Sequence, residues 1–230
     1  MGRFVNLLYC HYMETVNLHT HFRLPEKGII GLKNHQVQFN FDPEPGQYYS
    51  VGLHPWSVDE SKIEKMTGIT EKLAAEPSVL AIGECGLDRS IEIPAAIQQK
   101  AFLRQIDIAE KYDKPLILHA VKTYSDLLQL KKARLCNTPW ILHGYQGNEE
   151  TTKQLIRHGF FFSFGKVILD DRENLNKSLR AVPRERLFFE TDESVVPIES
   201  IYIFAASLLE MGPEELRSAV RSNFRHVFGV

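Results

Sequence analysis

Cysteine is scarce in this chain. The three residues Cys10, Cys85 and Cys136 are too few and too widely scattered for a disulfide framework or a zinc ribbon, and they fit a reducing cytoplasm. Charge of one sign is lacking too. The 27 Lys and Arg against 29 Asp and Glu leave a net charge of −2, so an extensive basic nucleic-acid surface is not expected. No apolar run is long enough to span a membrane. The opening Met1–Tyr12 stretch has neither the basic start nor the small-residue cleavage site of a secretory signal. Low-complexity tracts, internal repeats and linker-like stretches are absent, so the expectation is one domain over residues 1–230. Met13 stands four residues before the first strand signal, and residues 1–12 read as an upstream extension without functional role.

What is present is ample apolar material, 43% of the chain, enough to bury a full core. It is organised from residue 60 onward as strand-then-helix units. An amphipathic stretch Lys62–Ala75 precedes the strand Val79–Gly83. Pro94 takes a first helical position ahead of Ile97, Ala101, Phe102, Ile106, Ile108 and Ala109, which share one side of a helix. Strands Leu116–His119, Trp140–His143, Phe160–Phe164 and Leu187–Glu190 follow. Helices are expected near Tyr124–Lys131, Glu149–His158, Arg172–Ala181, Ile198–Leu209 and Pro213–Phe224. Serial units of this kind argue for a parallel sheet with right-handed crossovers. About thirty residues separate His21 from Gly52, which is too few for regular units, and they show no helical period. Gln36–Phe41 alternates, Gln47–Leu53 is extended, and Asp42-Pro43-Glu44-Pro45-Gly46 between them is turn chemistry. The predicted fold is therefore α/β, a TIM-type barrel abbreviated in its N-terminal part, with one or two early helices missing and an exposed flank.

Polar residues end the apolar runs. In a strand, His19 and His21 fall on one face two residues apart and can chelate one cation. Glu84 follows four apolar residues and a glycine, and a carboxylate there has two oxygens to share between two metals. His119 and His143 end neighbouring strands at equivalent positions and can share a second cation with Glu84. Of the two acids in Glu190-Thr191-Asp192, register points Asp192 at the site and Glu190 at the barrel wall. Groups at the C-terminal ends of parallel strands converge at one mouth of a barrel, where catalysis is found. Imidazoles and carboxylates are ligands that leave positions open for water and substrate. In Gly52-Leu53-His54-Pro55-Trp56, His54 reads either as a turn histidine or as a neutral donor to substrate, and Trp56 as edge packing or pocket wall.

These motifs, N-L-H-T-H, V-G-L-H-P-W, A-I-G-E-C-G-L-D, P-L-I-L-H-A, I-L-H-G-Y-Q-G, F-F-S-F-G, L-F-F-E-T-D and S-N-F-R-H-V-F, resemble in this order the TatD-related metal-dependent hydrolases of the amidohydrolase-like barrels. The resemblance spans Val16 to Phe228. It implies two divalent cations, with His19, His21 and Asp192 at one, His119 and His143 at the other, and Glu84 bridging. It also implies phosphodiester hydrolysis of the deoxyribonuclease kind. Three departures stand out. Asn17 replaces the usual opening Asp, which should change the site's charge. Val121 stands where the His-x-Arg motif has its Arg, with Lys122 one position later, and the His21–Gly52 segment is short.

The expected chemistry is attack by a bridging hydroxide with Asp192 as proton acceptor. Catalytic roles fall to Asp192 and Glu84, and substrate contacts to His54, Trp56, Lys122 and Tyr145. Zn²⁺, Mn²⁺, Co²⁺ or Fe²⁺ suits four imidazoles better than Mg²⁺, which stays open. The expected substrates are nucleic-acid ends or small phosphodiesters. Two other readings stand beside this one: a metal-dependent ester or amide hydrolase, such as a deacylase on aminoacyl-tRNA, and a barrel that binds metal without turnover.

Overall fold

The computed structural model describes residues 14–22, 28–134 and 138–230. The expected extension 1–12, Cys10 and Cys136 lie outside them. Cys85 is buried as a free thiol.

Eight parallel strands form one sheet in sequence order. They are β1 Thr15–Thr20, β2 Ile29–Gln36, β3 Tyr48–Gly52, β4 Val79–Asp88, β5 Leu116–Val121, β6 Trp140–Leu142, β7 Phe160–Phe164 and β8 Leu187–Phe189. Helices α1 Ile63–Ala74, α2 Ala95–Lys111, α3 Tyr124–Ala133, α4 Glu149–Arg157, α5 Glu173–Ala181, α6 Ile198–Leu208 and α7 Pro213–Phe228 cover the outside. Residues such as Leu116, Ile117, Leu118, Trp140, Ile141 and Leu142 have no exposure, because a parallel strand under helices is buried on both faces. Among the described residues no helix precedes Pro55, and β2 leads to β3 without a crossover helix, as expected. β2 keeps several half-buried residues and forms the open flank.

Three local readings are corrected. The alternation over Gln36–Phe41 is not a strand: the chain turns there, with Phe39 N–H donating to the Gln36 carbonyl, and the strand lies upstream. Its pattern of half-buried residues on an uncovered flank hides it from a periodicity search, and Gly31 looks like a breaker. Pro94 caps α2 rather than beginning it. β4 does not end at Gly83 but continues through Glu84 to Asp88, with an irregular register against β5 between Ile82 and Cys85. A Cβ at Gly86, at φ +138°, would stand 2.2 Å from the His119 carbonyl oxygen, so only glycine lets β5 come this close.

The barrel closes at the β8–β1 seam. Asp192 N–H donates to the His19 carbonyl (3.0 Å) and His21 N–H to the Asp192 carbonyl (3.2 Å). Asn17 completes the seam: its Oδ1 accepts the Thr191 N–H at 3.0 Å and its Nδ2 donates to Thr191 Oγ1 at 2.8 Å. Asn17, neutral where the resemblance has Asp, thus serves as a clamp between the first and last strands.

Behind β3 and β4, α2 turns two buried glutamines inward, one on each strand end. Gln105 Oε1 accepts the Leu53 N–H (2.8 Å) and its Nε2 donates to the Leu53 carbonyl (3.1 Å). Gln98 does the same for the two backbone groups of Asp88, at 2.8 and 2.9 Å. Among the described residues, no helix is long and apolar enough to cross a membrane.

Candidate metal centre

Glu84 sits at the centre of the C-terminal mouth, 4% exposed, with each carboxylate oxygen facing a different set of imidazoles. Oε2 lies 3.5 Å from His19 Nε2 and 3.7 Å from His21 Nε2. Asp192 Oδ1 completes that group, 3.6 and 3.4 Å from the same two nitrogens. These separations are too long for hydrogen bonds. They match donors arranged around a shared cation, which at bond lengths near 2.1 Å and tetrahedral angles stand about 3.4 Å apart. His19 supplies the independent test of fit: it is fully buried, and neither ring nitrogen has a hydrogen-bond partner among the described residues. An imidazole so placed is costly unless something accepts its lone pair.

Oε1 faces the other set, with His143 Nε2 at 2.7 Å, His119 Nδ1 at 2.9 Å and His54 Nε2 at 3.0 Å. Two carboxylates stand behind these rings. Asp88 Oδ2 is 2.9 Å from His119 Nε2, and Glu190 Oε1 is 3.2 Å from His143 Nδ1. Each stands where it takes the far N–H, which leaves the nitrogen on the Glu84 side to serve a cation and raises the ring's basicity. His54 differs. Its Nδ1 accepts the Trp56 N–H at 3.2 Å, which leaves its Nε2 carrying the hydrogen and donating to Glu84.

The charges follow this packing. Burial pushes the Glu84 carboxyl up, but the imidazoles of His143, His119 and His19 crowded around it outweigh this and hold it well below the usual carboxylate range. Burial pulls His143 down, and the Glu84 and Glu190 carboxylates overcome this and raise it well above an ordinary imidazole. The neighbouring Glu84 carboxylate raises His21 despite partial burial. Asp88 is pushed up by burial, yet hydrogen bonds from Ser90, Trp56 and His119 leave it well below its ordinary value. A compact set of anions and imidazoles with mutually stabilised charges is suited to holding divalent cations, with Asp192, 43% exposed, facing solvent at the rim.

The structure brings His19, His21, Glu84, His119, His143, Asp192 and His54 together. Trp56 and Lys122 lie at the edge, Lys122 lining a cleft of about 470 Å³ that also borders His119, His143 and Asp192. Tyr145 is a correction. It is 1% exposed, its hydroxyl pairs with Thr152 Oγ1 at 2.8 Å, and its ring packs on Phe162 and Phe164, so it supports the wall and reaches no substrate. Gly144, at φ +52°, reverses the chain and carries Tyr145 under it. Sequence reasoning missed Asn34, whose Oδ1 accepts the Glu84 N–H at 3.0 Å and whose Nδ2 lies 3.4 Å from Glu84 Oε2. It also gave Asp88 no role. Asn34 sits in the polar run Lys33-Asn34-His35-Gln36, so the sequence carried no signal that singled it out.

Comparison with known proteins agrees with this geometry. The family model described as TatD related DNase matches residues 42–229. The chain is 30% identical over 199 residues to the metal-dependent hydrolase YcfH of Escherichia coli, covering 79% of this chain and 74% of that protein. It is 32% identical over 148 residues to the 3'-5' ssDNA/RNA exonuclease TatD of Escherichia coli, covering 62% of this chain and 56% of that one. The fold matches the crystal structure of the Escherichia coli TatD homolog YjjV with a TM-score of 0.79 at 20% identity, over 95% of this chain and 99% of that one. It also matches a TatD family hydrolase of Entamoeba histolytica, with a TM-score of 0.74 at 18% identity over 94% and 98%.

Proposed function

This chain belongs to the family of TatD-related DNases and is a metal-dependent hydrolase, and from that premise we propose that it cleaves phosphodiester bonds at single-stranded nucleic-acid ends in the cytoplasm. The observation that carries the reading is Glu84, one oxygen turned to His19 and His21 and the other to His119 and His143. In this reading His19, His21, Asp192 and Glu84 hold one divalent cation, and Glu84, His119 and His143 hold another. Such cations, when bound, polarise a phosphoryl oxygen and make water acidic near neutral pH.

The chain's own residues do the rest. Asp192, at the exposed rim beside His21, takes the proton of the attacking water and returns it to the leaving oxygen. His54, fixed as a neutral donor by the Trp56 N–H, hydrogen-bonds at the reacting centre once substrate displaces it from Glu84. Lys122 is the one cation among the described residues lining the cleft, so a phosphate meets a point charge there in place of an arginine fork. Trp56 borders the same mouth.

That scarcity of lysine and arginine among the described lining residues keeps an acyl ester, including that of aminoacyl-tRNA, in the test as the competing substrate. The deciding experiment loads the protein with Zn²⁺, Mn²⁺, Co²⁺ or Mg²⁺ and offers single-stranded oligonucleotides, a small phosphodiester and an aminoacyl ester. Cleavage of the phosphodiesters, lost with metal in His119→Ala, is the expected result; turnover confined to the acyl ester overturns the reading.

A further inference from the structure

We propose that Trp56 is a rigid stacking platform for the terminal nucleobase of a single strand, so that the site selects an unpaired base beside the bond it cleaves. This rests on the phosphodiesterase reading and names what its rim recognises. Trp56 is 62% exposed, although its position is fixed from several sides. The indole N–H donates to Asp88 Oδ2 at 2.7 Å, and the backbone N–H is held by His54 Nδ1. The ring meets His54 and His119 nearly edge-on, with centroids 5.0 and 5.8 Å away.

Single exposed apolar residues are ordinary on a protein surface. Trp56 is distinguished by two things together. It stands among the residues of the metal centre, and its one polar atom is already satisfied from below, so the ring offers only a π-face. A side chain locked in place loses little freedom when something stacks on it, and binding is correspondingly more favourable. Every base has a π-face, so the platform tolerates any sequence. It also supplies affinity without charge, in a cleft with few cations. A base inside a duplex has both faces occupied by its neighbours and its pairing edge engaged, whereas a frayed or single-stranded end can lie on the indole.

The test gives the metal-loaded protein two oligonucleotides of one sequence, ending at the cleaved terminus in a base or in an abasic residue. The wild type should favour the base-bearing end by about tenfold or more in kcat/KM, the usual worth of one aromatic stack. In Trp56→Ala that ratio should fall to near one. In Trp56→Phe, which keeps a stacking ring without the indole N–H, most of it should persist. A wild-type ratio near one, or a ratio that survives in Trp56→Ala, overturns the proposal. A second readout needs no variant: of the two tryptophans, Trp140 is fully buried, so quenching of exposed indole emission reports on Trp56. The base-bearing oligonucleotide should quench and the abasic one should not; equal quenching overturns the stacking role. If neither oligonucleotide is cleaved with any cation, the phosphodiesterase reading fails, and the quenching result still decides the platform separately.

Discussion

Asp88 accepts the Nε2–H of His119 at 2.9 Å while the same Oδ2 accepts the indole N–H of Trp56 at 2.7 Å. One carboxylate oxygen therefore sets both the tautomer of a proposed metal ligand and the position of the aromatic rim. Asp88→Asn, with an amide in place of that oxygen, should lower metal affinity by about 10- to 100-fold, as for other partners behind a ligating histidine. The fold should stay intact. Chelator competition followed by circular dichroism checks this; unchanged affinity removes Asp88 from the site.

Asp192 and Glu190 can be told apart by function. Asp192→Asn keeps an oxygen donor and loses basicity, so part of the metal should remain while turnover drops by about two to four orders of magnitude. Glu190 is fully buried and accepts the Gly144 N–H at 2.6 Å as well as facing His143. Glu190→Gln should therefore lower thermal stability and weaken metal binding. A normal turnover number in Asp192→Asn beside an inactive Glu190→Gln would transfer the acid–base role to Glu190.

The metal-free and metal-loaded proteins should respond oppositely to pH. Glu84 is held below its ordinary 4.5, so its contribution to stability is present above that value and lost as pH falls through the folded-state pKa. His143 is held above 6.5, so its contribution is present below 6.5 and lost as pH rises through its folded-state pKa. The pair stabilises the metal-free protein most between about pH 4.5 and 6.5. Cation binding needs neutral imidazoles and should instead strengthen as pH rises. Melting curves with and without chelator across pH 4 to 9 test both slopes, and parallel slopes contradict the assignment.

Duplex DNA should bind weakly. A net charge of −2 and a cleft in which Lys122 is the one lysine or arginine among the described lining residues offer few phosphate contacts. The dependence of log affinity on log salt should be shallow, corresponding to about one or two phosphates. Fluorescence anisotropy across salt concentrations measures it; a steep slope with tight binding at physiological salt disagrees.

Much of the fold was legible because most strands after Glu60 begin as a continuous apolar run, as in Leu116–Leu118 before His119. The site was legible for the same reason, since the fold turns strand ends into neighbours. What escaped depends on distance across the barrel. Asp88 lies in a motif visible in sequence, yet its meeting with His119 and Trp56 exists only once β4 runs beyond Glu84. Tyr145 shares its segment with His143, but one glycine at positive φ separates a residue in the site from one in the wall. Gln98 and Gln105 break an apolar helix face, and nothing local says that they hold Leu53 and Asp88.

The Asn17–Thr191 clamp joins residues 174 positions apart along the chain, and this has a temporal consequence. Glu84, His119 and His143 come from strands four, five and six, so a nascent chain can bring them together well before synthesis ends. His19 and His21 must wait for the eighth strand to deliver Asp192, which requires closing a loop that spans most of the chain. The two halves of the centre thus differ in when they come into existence: one is available to a half-made barrel, and the other records that the ring has shut.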